Sequence, residues 1–189
     1  MTQTRPARSS SRIRFAAFAG LVVALLATAG EVRAECADFA QAGVEWRRCM
    51  MDGADLTNVD LTGAVLRDSS FKRADLSGSV LRDVDARRAK FVSARMVDIV
   101  LDGARLIRAD LTSADLTGAS LRDADLRDAK LYQTILRNAD LTGARLDGAD
   151  LLRADLSGAR WVDGKSICAQ GSIGRCHMQK PPRAAATEG

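Results

Sequence analysis

A strict period of five residues runs through most of this chain, and few folds can accommodate it. From Val44 the chain divides without insertion or deletion into 24 units, opening with VEWRR, CMMDG, ADLTN and VDLTG and closing with ARWVD at Asp163. The third residue of a unit is Leu in 17 cases and otherwise Trp46, Met51, Phe71, Ala86, Phe91, Met96 or Trp161. The first residue is Ala in 16 cases and otherwise Val, Cys, Ser, Ile or Thr. These 48 positions hold no charged residue in a chain that is 28% charged, so they face an interior.

Neither common element explains that spacing. Five residues advance an α-helix by about 140°, which would scatter the leucines around the barrel. On a flat strand an odd spacing sends alternate leucines to opposite faces. The remaining geometry is a chain that turns a corner every five residues, with four sides closing a coil of 20. Coils stacked at about 4.8 Å give an all-β prism of about six coils, roughly 29 Å tall, over residues 44–163. The third-position side chains meet on its axis, and the narrow bore keeps the first position small. Ala86 stands where Leu is usual, in a unit where Val84 stands where Ala is usual, so side-chain volume is roughly kept.

The run ADLTN, ADLSG, ADLTS, ADLTG and ADLRD resembles the A-(D/N)-L-x-x signature of the pentapeptide-repeat family. The resemblance covers 120 of 189 residues. It implies a right-handed quadrilateral β-helix with no cofactor and no catalytic residue shared across members, and the handedness comes from the resemblance alone. The best-known activity in that family, protection of DNA topoisomerases by rods that mimic B-form DNA, calls for an acidic rod in the cytoplasm. Here residues 44–163 sum to about −1, and Arg67, Arg87 and Arg127 recur at multiples of 20. DNA mimicry is therefore the alternative reading rather than the leading one.

Residues 1–34 read as a secretory leader: a basic start through Arg14, an apolar stretch from Phe15 to Gly30, and Val32-Arg33-Ala34 as a small-residue cleavage context. Cleavage is expected after Ala34, with Ala29 as the alternative and retention as a membrane anchor as a third. The leader carries five arginines against one acid; without it, 28 basic and 24 acidic residues become 23 of each. The mature chain is thus formally neutral, and the expected location is periplasmic or secreted.

The ends of a solenoid expose an apolar cross-section and need lids. Residues 35–43 and 164–178 are the expected caps, with a disordered tail at 179–189. Trp46 and Trp161 are placed to plug the axis. Two coil ends more than 20 Å apart on the spacing above cannot share a disulfide, which needs Cα atoms within about 7 Å. Cys36 is therefore expected to pair with Cys49, and Cys168 with Cys176, as export to an oxidising compartment permits. A metal or haem site at Cys168, Cys176 and His177 is disfavoured by the spacing of the cysteines and the lack of a fourth ligand.

His177 is the single histidine and has no nucleophile beside it in sequence, and no phosphate-cradling glycine loop occurs. No catalytic residue, metal or cofactor is expected, and the second-position aspartates, such as Asp55 over Asp75, read as solvated faces. Among outward positions, Val80, Val92, Val97, Val100 and Ile107 replace polar residues and form the candidate interaction face, for a protein partner or for self-association. Nucleic acid and small-molecule substrates are not expected, and membrane contact is expected only through an uncleaved leader.

Overall fold

The computed structural model describes residues 36–178. The expected leader and its cleavage sites, Glu35, and the expected tail from Gln179 lie outside the described residues.

Each unit follows one local plan. Its second residue makes a parallel bridge, and its fourth and fifth residues form a turn. The bridges join residue i to residue i+20, from Glu45↔Val65 to Asp140↔Arg160. Four sides of five residues therefore make one circuit: side 1 from Val44, side 2 from Cys49, side 3 from Ala54 and side 4 from Val59, each recurring 20 residues on. The wall is a ladder of one-residue pairings, because a side ends before a longer strand can form.

Between circuits the backbone is bonded in a repeating way. Leu56 N donates to Asp75 O at 2.7 Å, and Asp75 N donates back to Ala54 O at 3.0 Å. At the corner, Asn58 N donates to Ser77 O at 3.0 Å. Every fifth residue of a unit, from Arg48 to Gly158, has positive φ, the feature a type II turn requires at its third position. At Gly78 the need is double: φ is +69°, and a Cβ there would overlap Asn58 Oδ1 one circuit earlier.

The interior matches the sequence reading. Leu61, Leu66, Leu76, Leu81, Leu101, Leu106, Leu111 and Leu116 are fully buried, and the alanines between them are closed off as well. Burying a leucine contributes about 1.5–3 kcal/mol, which lets an axis of leucines support a fold without helices. Where Ala86 replaces Leu, the same circuit carries Phe91, which stacks on Phe71 with ring centroids 5.2 Å apart and planes at 10°. Trp46 lies 6.5 Å beyond Phe71. The vacancy at Ala86 therefore serves an aromatic file as well as the neighbouring Val84.

The first position controls turn geometry. Where it is Ala, its N–H reaches the preceding third-position carbonyl at 2.8–3.2 Å, whereas Val84 and Ile99 stretch that bond to 3.4 Å. Cys49 and Val59 make no such direct bond. Instead Ser79 Oγ, one circuit on, accepts from Val59 N at 3.0 Å and donates to Leu56 O at 2.6 Å. Ser69 bridges Cys49 N and Trp46 O in the same way. These buried serines repair turns widened by a bulky first residue.

Both expected disulfides form. Cys36 joins Cys49 with Cα atoms 5.4 Å apart, and Cys168 joins Cys176 at 5.0 Å. Trp46 is 2% exposed and its Nε1 donates to Asp38 O in the cap at 3.2 Å. The other end differs from expectation. Trp161 is only partly buried, and the lid consists of antiparallel pairings, Asp155↔Ile173 and Arg160↔Ile167, laid along sides 3 and 4. Leu146 and Leu151 on sides 1 and 2 remain partly exposed, because the cap chain crosses only half of the mouth.

Candidate interaction surface

The outer wall is set by the second, fourth and fifth residues of each unit, and the turn geometry assigns them distinct tasks. Second-position aspartates are turn staples. Asp55 Oδ1 accepts from Thr57 N at 3.1 Å, Asp115 Oδ1 accepts from Thr117 N at 3.0 Å, and Asp140 Oδ1 accepts from Thr142 N at 3.0 Å. A short carboxylate that bonds the N–H two residues on is an Asx turn, which explains why Asp recurs at that place. The aspartates are thus turn staples while Asp55 also faces solvent. The Thr62 hydroxyl and N–H hold the Asp60 carboxyl below the usual range, and Ser77 does the same for Asp75.

A second layer of bonds ties circuits together through arginine. Asp85 is 8% exposed. Burial pushes its carboxyl up, but hydrogen bonds from Arg87 at 2.9 Å and Arg67 at 2.6 Å outweigh that and hold it at about 2. Arg122 reaches Asp140 at 2.8 Å and Arg137 reaches Asp155 at 2.6 Å, each spanning 18 residues. Arg88 makes a two-point contact with Asp68, both bonds 2.7 Å, across one circuit. Such forked pairs are the stronger kind of surface ion pair.

The structure brings together only part of the expected apolar face. Val80 and Val100 are paired directly on side 4, and both are half-buried. Val97 sits at the corner that leads into side 4, whereas Val92 and Ile107 occupy the two preceding corners, each as the fourth residue of its unit. The reason is arithmetic: only separations of 20 stack, and Val92 and Ile107 are 8 and 7 residues from Val100. The apolar patch is therefore Val80 and Val100, flanked by Val97. Asp60 precedes it and Ser120 follows it along the same ladder.

Sequence reasoning missed the left-handed fifth position, although its abundance of Gly, Asn and Asp was a readable signal. It also missed the serine bridges, which show only when Ser69 and Ser79 are set against the residue 20 places earlier. Among the described residues, no group of three or more His, Cys, Asp or Glu is arranged to hold a metal. His177 accepts at Nε2 from Arg175 Nε at 2.8 Å in the C-terminal cap.

A four-sided solenoid with an apolar axis, disulfide-bonded lids and a largely polar wall that carries the stacked valines Val80 and Val100 has the character of a repeat scaffold that works through its surface. The chain belongs to the pentapeptide-repeat family. The family model for pentapeptide repeats matches in eight copies, over residues 35–68, 69–106, 98–128 and 124–160. Among solved structures, the chain is similar to HetL, a pentapeptide repeat protein involved in heterocyst differentiation regulation from the cyanobacterium Nostoc sp. strain PCC 7120, at 32% identity, covering 65% of this chain and 68% of that one with a TM-score of 0.42. It is also similar to Rfr23 from the cyanobacterium Cyanothece 51142, at 26% identity over 62% of this chain and 90% of that one with a TM-score of 0.48. A third is a pentapeptide repeat protein of the Arabidopsis thaliana thylakoid lumen, at 26% identity over 67% and 86% with a TM-score of 0.33. No curated protein matches the chain.

Proposed function

We propose that this protein is an exported, non-catalytic scaffold: a right-handed prism of about six coils that binds a protein partner in the periplasm or outside the cell. The reading rests first on the wall. Many of its aspartates and arginines are engaged in turns and inter-circuit pairs, and the valines Val80 and Val100, paired directly on side 4, form an apolar step in that polar wall. Two bonded cysteine pairs, with no free cysteine among the described residues, support an oxidising destination. So does the leader-like start of the chain.

The test joins location and binding. Fractionation of cells should recover the chain outside the cytoplasm, and crosslinking in intact cells should capture a partner. Val80→Asp combined with Val100→Asp should abolish capture while leaving the melting temperature nearly unchanged. Capture that survives both substitutions, or a chain retained in the cytoplasm with reduced thiols, contradicts the proposal.

A further inference from the structure

Arginine is unevenly distributed around the prism. Beyond the leader the chain is formally neutral, yet the corner where side 1 turns into side 2 carries Arg47 and Arg48, then Arg67, then Arg87 and Arg88 in three successive circuits. Arg47, Arg48, Arg67, Arg88 and Asp68 line an open cleft of about 370 Å³. With Arg87 included and Glu45, Asp68 and Asp85 set against them, the corner carries five arginines to three acids, a local excess of positive charge.

What separates this corner from an ordinary salt-bridged surface is how its charges are spent. Asp68 gives both oxygens to Arg88, and Arg67 is held on Asp85. Arg48 makes no ion pair among the described residues, and Arg47 has only a distant contact with Glu45 at 3.6 Å. Arg67 keeps donors beyond those Asp85 can accept, since a guanidinium has five N–H groups. The cleft is thus walled by two pinned arginines, one loosely paired, Arg47, and one without an ion pair among the described residues, Arg48.

We infer that this corner binds a phosphate-class oxyanion, with Arg47 and Arg48 as the mobile donors and Arg67 and Arg88 as the fixed ones. Guanidinium suits such a ligand because its planar fork gives two parallel bonds to two oxygens of one phosphate. The site stands apart from the valine pair on side 4 and does not depend on it. The same chemistry could be supplied by a soluble phosphate or by an anionic lipid headgroup.

The experiment titrates the purified protein with pyrophosphate by calorimetry and, separately, with vesicles containing phosphatidylglycerol against vesicles of phosphatidylcholine alone. Saturable binding is expected in at least one arm. Pyrophosphate binding assigns a soluble ligand, and binding confined to the anionic vesicles assigns a headgroup. Arg47→Ala combined with Arg48→Ala should weaken that binding by about tenfold or more, the effect of losing charge-assisted bonds. Arg73→Ala combined with Arg153→Ala, which removes the same charge from the next corner, should leave it unchanged. The Arg47/Arg48 variant should keep the parent's melting temperature, since neither side chain makes a close pair. Absence of saturable binding in both arms, or equal weakening by the two double variants, overturns the assignment.

Discussion

Replacing Ser79 with Ala removes one buried hydroxyl that closes a turn in the preceding circuit. Ser79 is fully buried, and its Oγ is the partner of both Val59 N, at 3.0 Å, and Leu56 O, at 2.6 Å. Losing it strands a donor and an acceptor together, and a buried polar group left unsatisfied costs about 1–3 kcal/mol. The turn has one route of relief, which is to close directly as the alanine turns do at 2.8–3.2 Å, but the β-branched Val59 opposes it, as Val84 and Ile99 do by stretching their turns to 3.4 Å. The expected loss is therefore about 2 kcal/mol, equivalent to a drop of roughly 6 °C in melting temperature for a chain of this size. Combining Ser79→Ala with Val59→Ala supplies an alanine turn, so the double variant should be less destabilised than the sum of the two single ones by about 1 kcal/mol. Thermal unfolding followed by circular dichroism reads all four proteins, with Ser93→Ala at an exposed corner as the control. A Ser79→Ala protein that melts with the parent, or strictly additive losses, would refute the view that this hydroxyl repairs a turn widened by valine.

The other predictions concern the axis, the carboxylates and the lids. Leu116→Ala, at a fully buried axial position, should cost about 2–5 kcal/mol, and Leu116→Asp should abolish the cooperative unfolding transition, because it adds an unpaired charge in the bore. Asp85 has a carboxyl lowered from 3.8 to about 2, so it contributes stability that is fully present above about pH 4 and lost as pH falls through 2. The loss for that group should be about 2.5 kcal/mol, and Asp85→Asn should flatten the acid limb of the stability curve. Reducing both disulfides should destabilise the caps. Loops of 13 and 8 residues correspond to about 3 and 2.5 kcal/mol on the chain-entropy account, so Cys36→Ser should lower the melting temperature more than Cys176→Ser does.

Much of the fold was legible in the sequence because its constraint is periodic. The bore repeats every five residues, so each Leu and Ala reports the same fact, and the register follows from counting. The cysteine pairing was legible for a related reason: rigid spacing between the ends leaves only local partners. What stayed hidden depends on pairs of residues 20 apart rather than on one unit. Ser79 is an unremarkable substitution for Ala until it is set beneath Val59. Ala86 is legible as a partner of Val84, but its relation to Phe91 shows only when the four axial residues of one circuit are taken together. The stacking of Val80 on Val100 was legible from their separation of 20 residues, but Val92, Val97 and Ile107 were joined to them by nearness in sequence. On this fold Val92 and Ile107 lie on other corners, and only Val80 and Val100 meet. The half-open C-terminal mouth was not legible, since residues 164–178 leave the five-residue period and pair antiparallel instead.

The central claim is that 20 residues of chain advance the molecule by one strand spacing and no more. Spin labels at Glu45→Cys and Arg105→Cys, and in a second protein at Glu45→Cys and Arg145→Cys, place pairs on side 1 separated by three and five circuits. The native cysteines are bonded and stay unlabelled. Pulsed dipolar spectroscopy should give backbone separations of about 14 and about 24 Å, narrow in both cases and differing by about two circuit rises. Separations that fail to increase from the first pair to the second, or that spread over many tens of ångströms, would contradict it.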